Sequence, residues 1–310
     1  MTALDRAPDG PAEAGQVAAP DEAAGPTGLL RALVRNRLAA AALVVLAAFV
    51  VVALVGDRVA PYGPNEVSSA DKLRAPSLEH PFGTDQLGRD VLSRVLIGAE
   101  PSLRVGLVAV GIALVAGVVL GLVAGYYRGL VDDVVMRCMD VLFAFPAILL
   151  AIAVMAIRGR GATNAMIAIG VVYTPIFARV TRASVLTVRE QVFVRAARSI
   201  GAGDLRIMTR HVLPNVAAPI IVQTSISLAF AILAEAALSF IGLGTQPPEP
   251  SWGRMLADGR GFIQDAWWMA VFPGLAIFAV VLSFNVTGDA LRDALDPRQR
   301  SAIESAAGRG

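Results

Sequence analysis

Six long runs without a charged side chain dictate what this chain can become. They cover residues 38–56, 105–127, 141–157, 161–178, 211–234 and 266–288. Crossing a hydrocarbon layer about 30 Å thick takes roughly 20 apolar residues in a helix, since backbone polar groups must pair with one another where no water reaches. The runs therefore predict an all-α membrane protein with six transmembrane helices. The third and fourth runs are short and gain length by passing a flanking arginine whose head group snorkels to the interface. The fifth continues through Glu235 to about Gly244. Composition agrees, with 55% hydrophobic and 17% charged residues and a mean hydropathy of +0.63.

Residues 1–28 are rich in Ala, Pro, Gly and acid and show no apolar period. They read as a disordered cytoplasmic tail, unable to bury enough apolar surface to offset chain entropy. The run 38–56 lacks a small-residue cleavage site after it and reads as an uncleaved first span. Arginine placement then sets direction. With the N-terminus inside, segments 1–37, 128–140, 179–210 and 289–310 hold 17 of the 27 Lys and Arg residues, as positive-inside bias requires. Both termini are then cytoplasmic. Residues 29–300 form the membrane domain, with an outer segment at 57–104, a five-helix core at 105–290 and a C-terminal tail at 301–310. Trp252, Trp267 and Trp268 fall at the outer edge and Tyr126 with Tyr127 at the inner edge, where aromatic anchors belong.

Gly117, Gly121 and Gly125 recur every fourth residue on one face of the second span. The pattern suits close helix packing, either inside the bundle or at a subunit interface. Glu235 lies about 30 Å along the fifth helix. Its readings are a structural or interfacial acid, a gating or substrate contact, and a proton-coupling group. Asp132, Asp133 and Asp140 read as capping or solvating the inner end of the third span, while Asp85, Arg89 and Asp90 read as capping an outer helix. Cys138, the only cysteine, reads as a packing residue. With one Cys and two His, a Cys/His zinc site is not expected, and no metal ligand is assigned. Lys72 is the sole lysine and no glycine-rich loop precedes it. A P-loop needs both, so ATP hydrolysis by that route is excluded for this chain, which carries no catalytic residue.

Between the fourth and fifth spans, residues 189–215 form a basic helix-breaker-helix. Phe193, Ala197 and Ile200 share one stripe of a first short helix, and Gly201 supplies a left-handed stop. Asp204 is placed to cap a second helix whose stripe is Leu205, Met208 and Val212, and which Pro214 ends. Such a segment either anchors the fold at the interface or docks a soluble partner, and paired short helices favour docking.

The segment resembles the cytoplasmic loop of ATP-binding-cassette importer permeases: Glu-Ala-Ala, three residues, Gly, nine residues, a hydrophobic, any residue, Leu-Pro. This chain has Ala196-Ala197, Gly201 and Leu213-Pro214 at matching distances, with Arg195 in place of the acid and His211 in place of the hydrophobic. Three further stretches narrow the resemblance to the second permease of dipeptide and oligopeptide importers. They are His80-Pro81-Phe82-Gly83-Thr84-Asp85-Gln86-Leu87-Gly88-Arg89-Asp90, then Leu238–Gly244 with Gln246-Pro247-Pro248 and Pro250-Ser251-Trp252-Gly253, and Gly288-Asp289 with Leu291 to Arg298.

The resemblance implies a type I importer permease fold in the bacterial inner membrane, and an ATPase-coupling segment made of Arg195, Ala196, Ala197, Gly201, Asp204, Leu213 and Pro214. Gating or outer-loop contacts fall to Glu235, Trp252, Asp85 and Arg89. The implied partners are a homologous permease in a heterodimer, two cytoplasmic ATP-binding subunits that use ATP and Mg2+, an extracytoplasmic solute-binding protein and the lipid bilayer. Nucleic acid is not among them, and this chain itself carries no cofactor. Cargo would be di- or oligopeptides. The rivals are a nickel chelate, glutathione or another small solute moved by the same kind of importer, and a secondary carrier or channel working without ATP.

Overall fold

The computed structural model describes residues 33–34 and 36–295. The tails expected at 1–28 and 301–310, and the resemblance at Asp296-Pro297-Arg298, lie outside the described residues. Among the described residues there is no strand, only an isolated bridge between Thr84 and Asp90. Five helices there are long and apolar enough to cross a membrane, six if one sharply bent pair counts as a single span.

Helix α1 (Arg37–Val59) starts where the Asn36 side chain accepts from the Leu38 and Ala39 amides at 3.0 and 3.3 Å. It buries little beyond Ala39, Ala42 and Gly56. A Cβ at Gly56 would stand 2.9 Å from the Leu96 carbonyl, so glycine lets α1 meet the next span backbone to backbone.

The second span begins earlier than its uncharged run. Helix α2 (Val91–Ile97) is capped by Asp90, which accepts from the Ser93 amide at 2.7 Å, and passes through Gly98 into α3 (Ala99–Tyr127). Arg94, Glu100 and Arg104 conceal this start in the sequence. In the structure Arg94 is buried against the Pro64 carbonyl at 2.7 Å, while Glu100 and Arg104 pair across one turn at 3.4 Å.

The third run is not one straight helix. Helices α4 (Gly129–Phe143) and α5 (Ala147–Arg158) meet at 92°. Pro146 supplies the break, because a proline drives the residue before it out of helical geometry. Helix α6 (Ala162–Val188) packs along α3, and here the three glycines are internal packing positions. A Cβ at Gly117, Gly121 or Gly125 would lie 2.5, 2.3 or 2.9 Å from Phe177, the Ala178 carbonyl or Val185.

Helices α7 (Val192–Ser199) and α8 (Asp204–Ile207) follow. Five π-helical residues, Met208–Val212, and four 3-10 residues, Leu213–Val216, then lead into α9 (Ala217–Phe240). Helices α10 (Trp252–Gly259) and α11 (Trp268–Leu295) complete the bundle. One apolar core joins α3, α6, α9 and the 194–216 region. A second gathers around Val91, Trp252, Trp268 and Met269 at the opposite end.

Candidate functional site

The candidate residues fall into two groups at opposite ends of α3, whose 29 residues make it about 43 Å long. At the Tyr127 end stands the 189–215 segment. Val194, Ala197, Ile207 and Val212 are buried in the first core beside Val185 and Tyr126. Outward face Val192, Phe193, Ile200 and Leu205, together with Arg195, Ser199 and Arg206. The expected stripe of Phe193, Ala197 and Ile200 is therefore corrected. Only Ala197 is inside, and Ile200 is 85% exposed. Helix α7 has two apolar faces, and the neighbours at Val185 and Tyr126 decide which one is covered. In the second helix Leu205 is likewise exposed, and Ile207 takes its place beside Met208 and Val212.

Gly201 adopts φ +82° with open space around it, the left-handed stop expected there. Asp204 does not cap. Gly203 holds the cap position, and the Asp204 carboxylate instead accepts the Tyr126 hydroxyl at 2.7 Å. That same hydroxyl accepts from Arg198 at 3.1 Å, and the Arg198 guanidinium lies 5.5 Å from the ring centroid. Arg189 donates to the Tyr126 carbonyl and reaches the Gly125 carbonyl at 3.4 Å. One tyrosine thus ties the end of α3 to both short helices. Pro214 does not end the second helix either. It sits in the first turn of a 3-10 segment, where its missing N–H costs nothing, and the helical path continues into α9. Arg195, Ala196 and Pro214 are exposed, and Leu213 is half-buried.

Two arginines of α6 add a feature the runs concealed. Arg182 forks onto Asp132 of α4 at 2.5 and 2.6 Å, and Arg179 donates to Asp140 at 2.6 Å. Neither aspartate merely caps or solvates a helix end. Cys138, between them, is exposed rather than packed.

At the other end Asp85 and Arg89 pair at 2.6 Å, both largely buried, and Asp85 also accepts from the Leu87 and Arg89 amides at 2.8 and 3.0 Å. Of the expected caps, only Asp90 is one, and its second oxygen meets His80 Nδ1 at 2.9 Å. Arg89 also lies 3.9 Å from Asp258, which pairs with Arg254 at 3.0 Å, so charges from 85–94 and from α10 interlock.

Trp252 is not an interfacial anchor. It is fully buried, its Nε1 donating to the Val95 carbonyl at 3.0 Å and its ring edge-on to Phe49 at 5.5 Å. Trp268 is buried too, donating to the Thr84 carbonyl at 3.0 Å, and only Trp267 is exposed. Tyr126 is buried as well, leaving Tyr127 at the surface. Glu235 is 1% exposed. One oxygen accepts from Ser239 at 2.7 Å, and the other has no hydrogen-bond partner. Ser239 accepts in turn from the Thr245 amide at 3.0 Å, which ties Glu235 to the loop after α9. Among the described residues no cluster of His, Cys, Asp and Glu has metal-binding geometry.

Residues 117–301 match the family described as binding-protein-dependent transport system inner membrane component. Residues 28–76 match the N-terminal transmembrane domain of oligopeptide transport permease C. The dipeptide transport system permease protein DppC of Alkalihalophilus pseudofirmus is 47% identical over 269 residues, 87% of this chain and 88% of that protein. A putative peptide transport system permease protein of Brucella abortus is 47% identical over 86% of this chain and 90% of its own length. The glutathione transport system permease protein GsiD of Escherichia coli is 47% identical over 85% of this chain and 88% of its own. Among solved structures, a chain of the MetNI methionine ABC transporter superposes with a TM-score of 0.53 at 17% identity, covering 66% of this chain and 96% of that one, and so shares the fold. The chain belongs to the family of binding-protein-dependent transport system inner membrane components, the membrane-spanning permease subunits of ABC importers.

Proposed function

We propose that this permease serves an importer of short peptides, pairing with a homologous permease to enclose a central pathway. Two cytoplasmic ATPases, the subunits that use ATP and Mg2+, dock on the 189–215 segments of the two permeases. A solute-binding protein delivers cargo to the outer segments 57–104 and 244–268, and both termini are cytoplasmic. Closure of the ATPase pair moves α7 and α8, the spans rock outward, and hydrolysis resets them. The observation that carries this reading is the outward face of α7 and α8. Its apolar and arginine side chains stay uncovered while the inner face is locked to Tyr126 and Val185. An element this firmly seated transmits force rather than absorbing it.

A test is Gly201→Val. A β-branched residue resists the left-handed conformation that glycine holds at φ +82°. In liposomes containing all subunits, ATP hydrolysis should continue while uptake falls at least about fivefold, an ordinary coupling factor. Uptake equal to the parent's would refute the docking assignment. Glutathione is the second cargo reading, because a glutathione permease matches this chain at the same 47% identity as the dipeptide one. Competition between a labelled dipeptide and glutathione for the binding protein separates the two.

A further inference from the structure

Helix α4 is tied to the bundle by charge as well as by packing. Over its fifteen residues it buries only Asp132 and Met139. Leu130, Val134, Val141 and Phe143 remain exposed. Breaks in helical geometry bound it at both ends. Arg128 and Gly129 take left-handed conformations at φ +60° and +56° between α3 and α4, and the 92° bend separates α4 from α5. Two contacts tie its ends to α6. One is the fork of Arg182 on the largely buried Asp132 in its first turn. The other is the more exposed pair of Arg179 with Asp140 near its last turn, where the Arg179 guanidinium lies 4.2 Å from the Phe143 ring centroid.

The other side of this fastening is rigid. Arg179 and Arg182 stand one turn apart on α6, in the stretch where Gly121 and Gly125 bring α3 against it. Helix α6 ends at Val188, and α7 begins after three linking residues. Arg189, in that link, is bonded to the last carbonyls of α3. The end of α3, the end of α6 and the 192–216 segment therefore form one body, and two ion pairs tie α4 to it.

Ionised side chains set within or beside membrane spans are costly and mark functional elements. A forked arginine–carboxylate pair fixes orientation as well as distance, which a slippery apolar contact does not. We propose that the Arg182–Asp132 and Arg179–Asp140 pairs are the joint through which displacement of the docking segment passes to α4 and, across the bend, to α5. These four side chains are thus positioning residues for transport. This rests on 189–215 being the ATPase-docking segment.

The chain carries its own reporter. Cys138 is its single cysteine, exposed on α4 between the two aspartates. With partner subunits made cysteine-free, a nitroxide or environment-sensitive dye on Cys138 in the complete reconstituted importer should report an ATP-dependent change. Asp132→Asn should abolish that change and lower uptake per ATP hydrolysed at least about fivefold, in complexes that still retain their ATPases on co-purification. Exchanging the charges, Asp132→Arg with Arg182→Asp, should restore both signals. An Asp132→Asn importer with the parent's label response and uptake would overturn the joint, as would a charge exchange that restores neither. Gly201→Val, labelled in the same way, separates the two readings. If it silences Cys138 while Asp132→Asn does not, the joint alone fails. If neither variant alters label or uptake, the docking assignment fails as well.

Discussion

Gly121 and Tyr126 show how single side chains set the working geometry. At Gly121 a Cβ would lie 2.3 Å from the Ala178 carbonyl oxygen, which belongs to the backbone and cannot be displaced by a rotamer change. Gly121→Leu should force α3 and α6 apart and lower stability by about 1–3 kcal/mol or more, measured as a lower melting temperature of the purified permease in detergent. Tyr126 acts through polarity rather than size. Its hydroxyl donates to Asp204 and accepts from Arg198, so Tyr126→Phe removes two bonds at one atom while leaving the ring in its site. Charge-assisted bonds of this kind contribute about 1–2 kcal/mol when partly exposed. Amide exchange across residues 192–207 should accelerate by roughly tenfold in the variant. Unchanged exchange would mean that the apolar contacts of Val194 and Ile207 hold the segment unaided.

Among the elements, the charged cluster of residues 85–94 with Asp258 is the most vulnerable to substitution. Arg89, Arg94, Asp85 and Asp258 are mutually satisfied in a largely buried setting. Asp85→Asn leaves Arg89 without its 2.6 Å partner. Breaking a buried pair on one side costs about 3–5 kcal/mol. Limited proteolysis should then cut the 60–90 stretch at protease levels that leave the parent intact.

The same elements show what a linear sequence reveals. Uncharged runs mark spans because hydrocarbon tolerates little else, so α1, α6, α9 and α11 were legible. Helix α4 was not, since Asp132, Asp133, Arg137 and Asp140 look like loop charges until Arg179 and Arg182 are seen beside two of them. Helix α2 was concealed in the same way by Arg94. In the candidate site, Ala197, Gly201 and Pro214 announce themselves through local spacing. Tyr126 lies 78 residues from Asp204, and no local rule connects them. Trp252 misled for a related reason. An indole suits an interface, but this one spends its N–H on a carbonyl 157 residues away.

On the scale of the whole molecule, the two candidate regions lie about 43 Å apart along α3, which packs against α6 through Gly117, Gly121 and Gly125. Orientation decides which partner each end meets. A Ser199→Cys chain with Cys138→Ser should react with an impermeant thiol reagent only from the cytoplasmic face of membrane vesicles. Reaction from the outside alone would invert the arrangement proposed for the partners.

The α3–α6 contact also constrains how such a molecule can drift over generations. At Gly117 and Gly121 the atoms in the way include backbone of Thr174 and Ala178, so no neighbouring substitution can make room for a larger residue. At Gly125 the nearest atoms belong to the Val185 side chain. Trimming Val185 to alanine would leave its Cβ at 2.9 Å and the Arg182 carbonyl oxygen at 3.0 Å from a Cβ at residue 125, so that route opens no room either. All three glycines are thus fixed points of descent, since backbone of the facing helix stands against each.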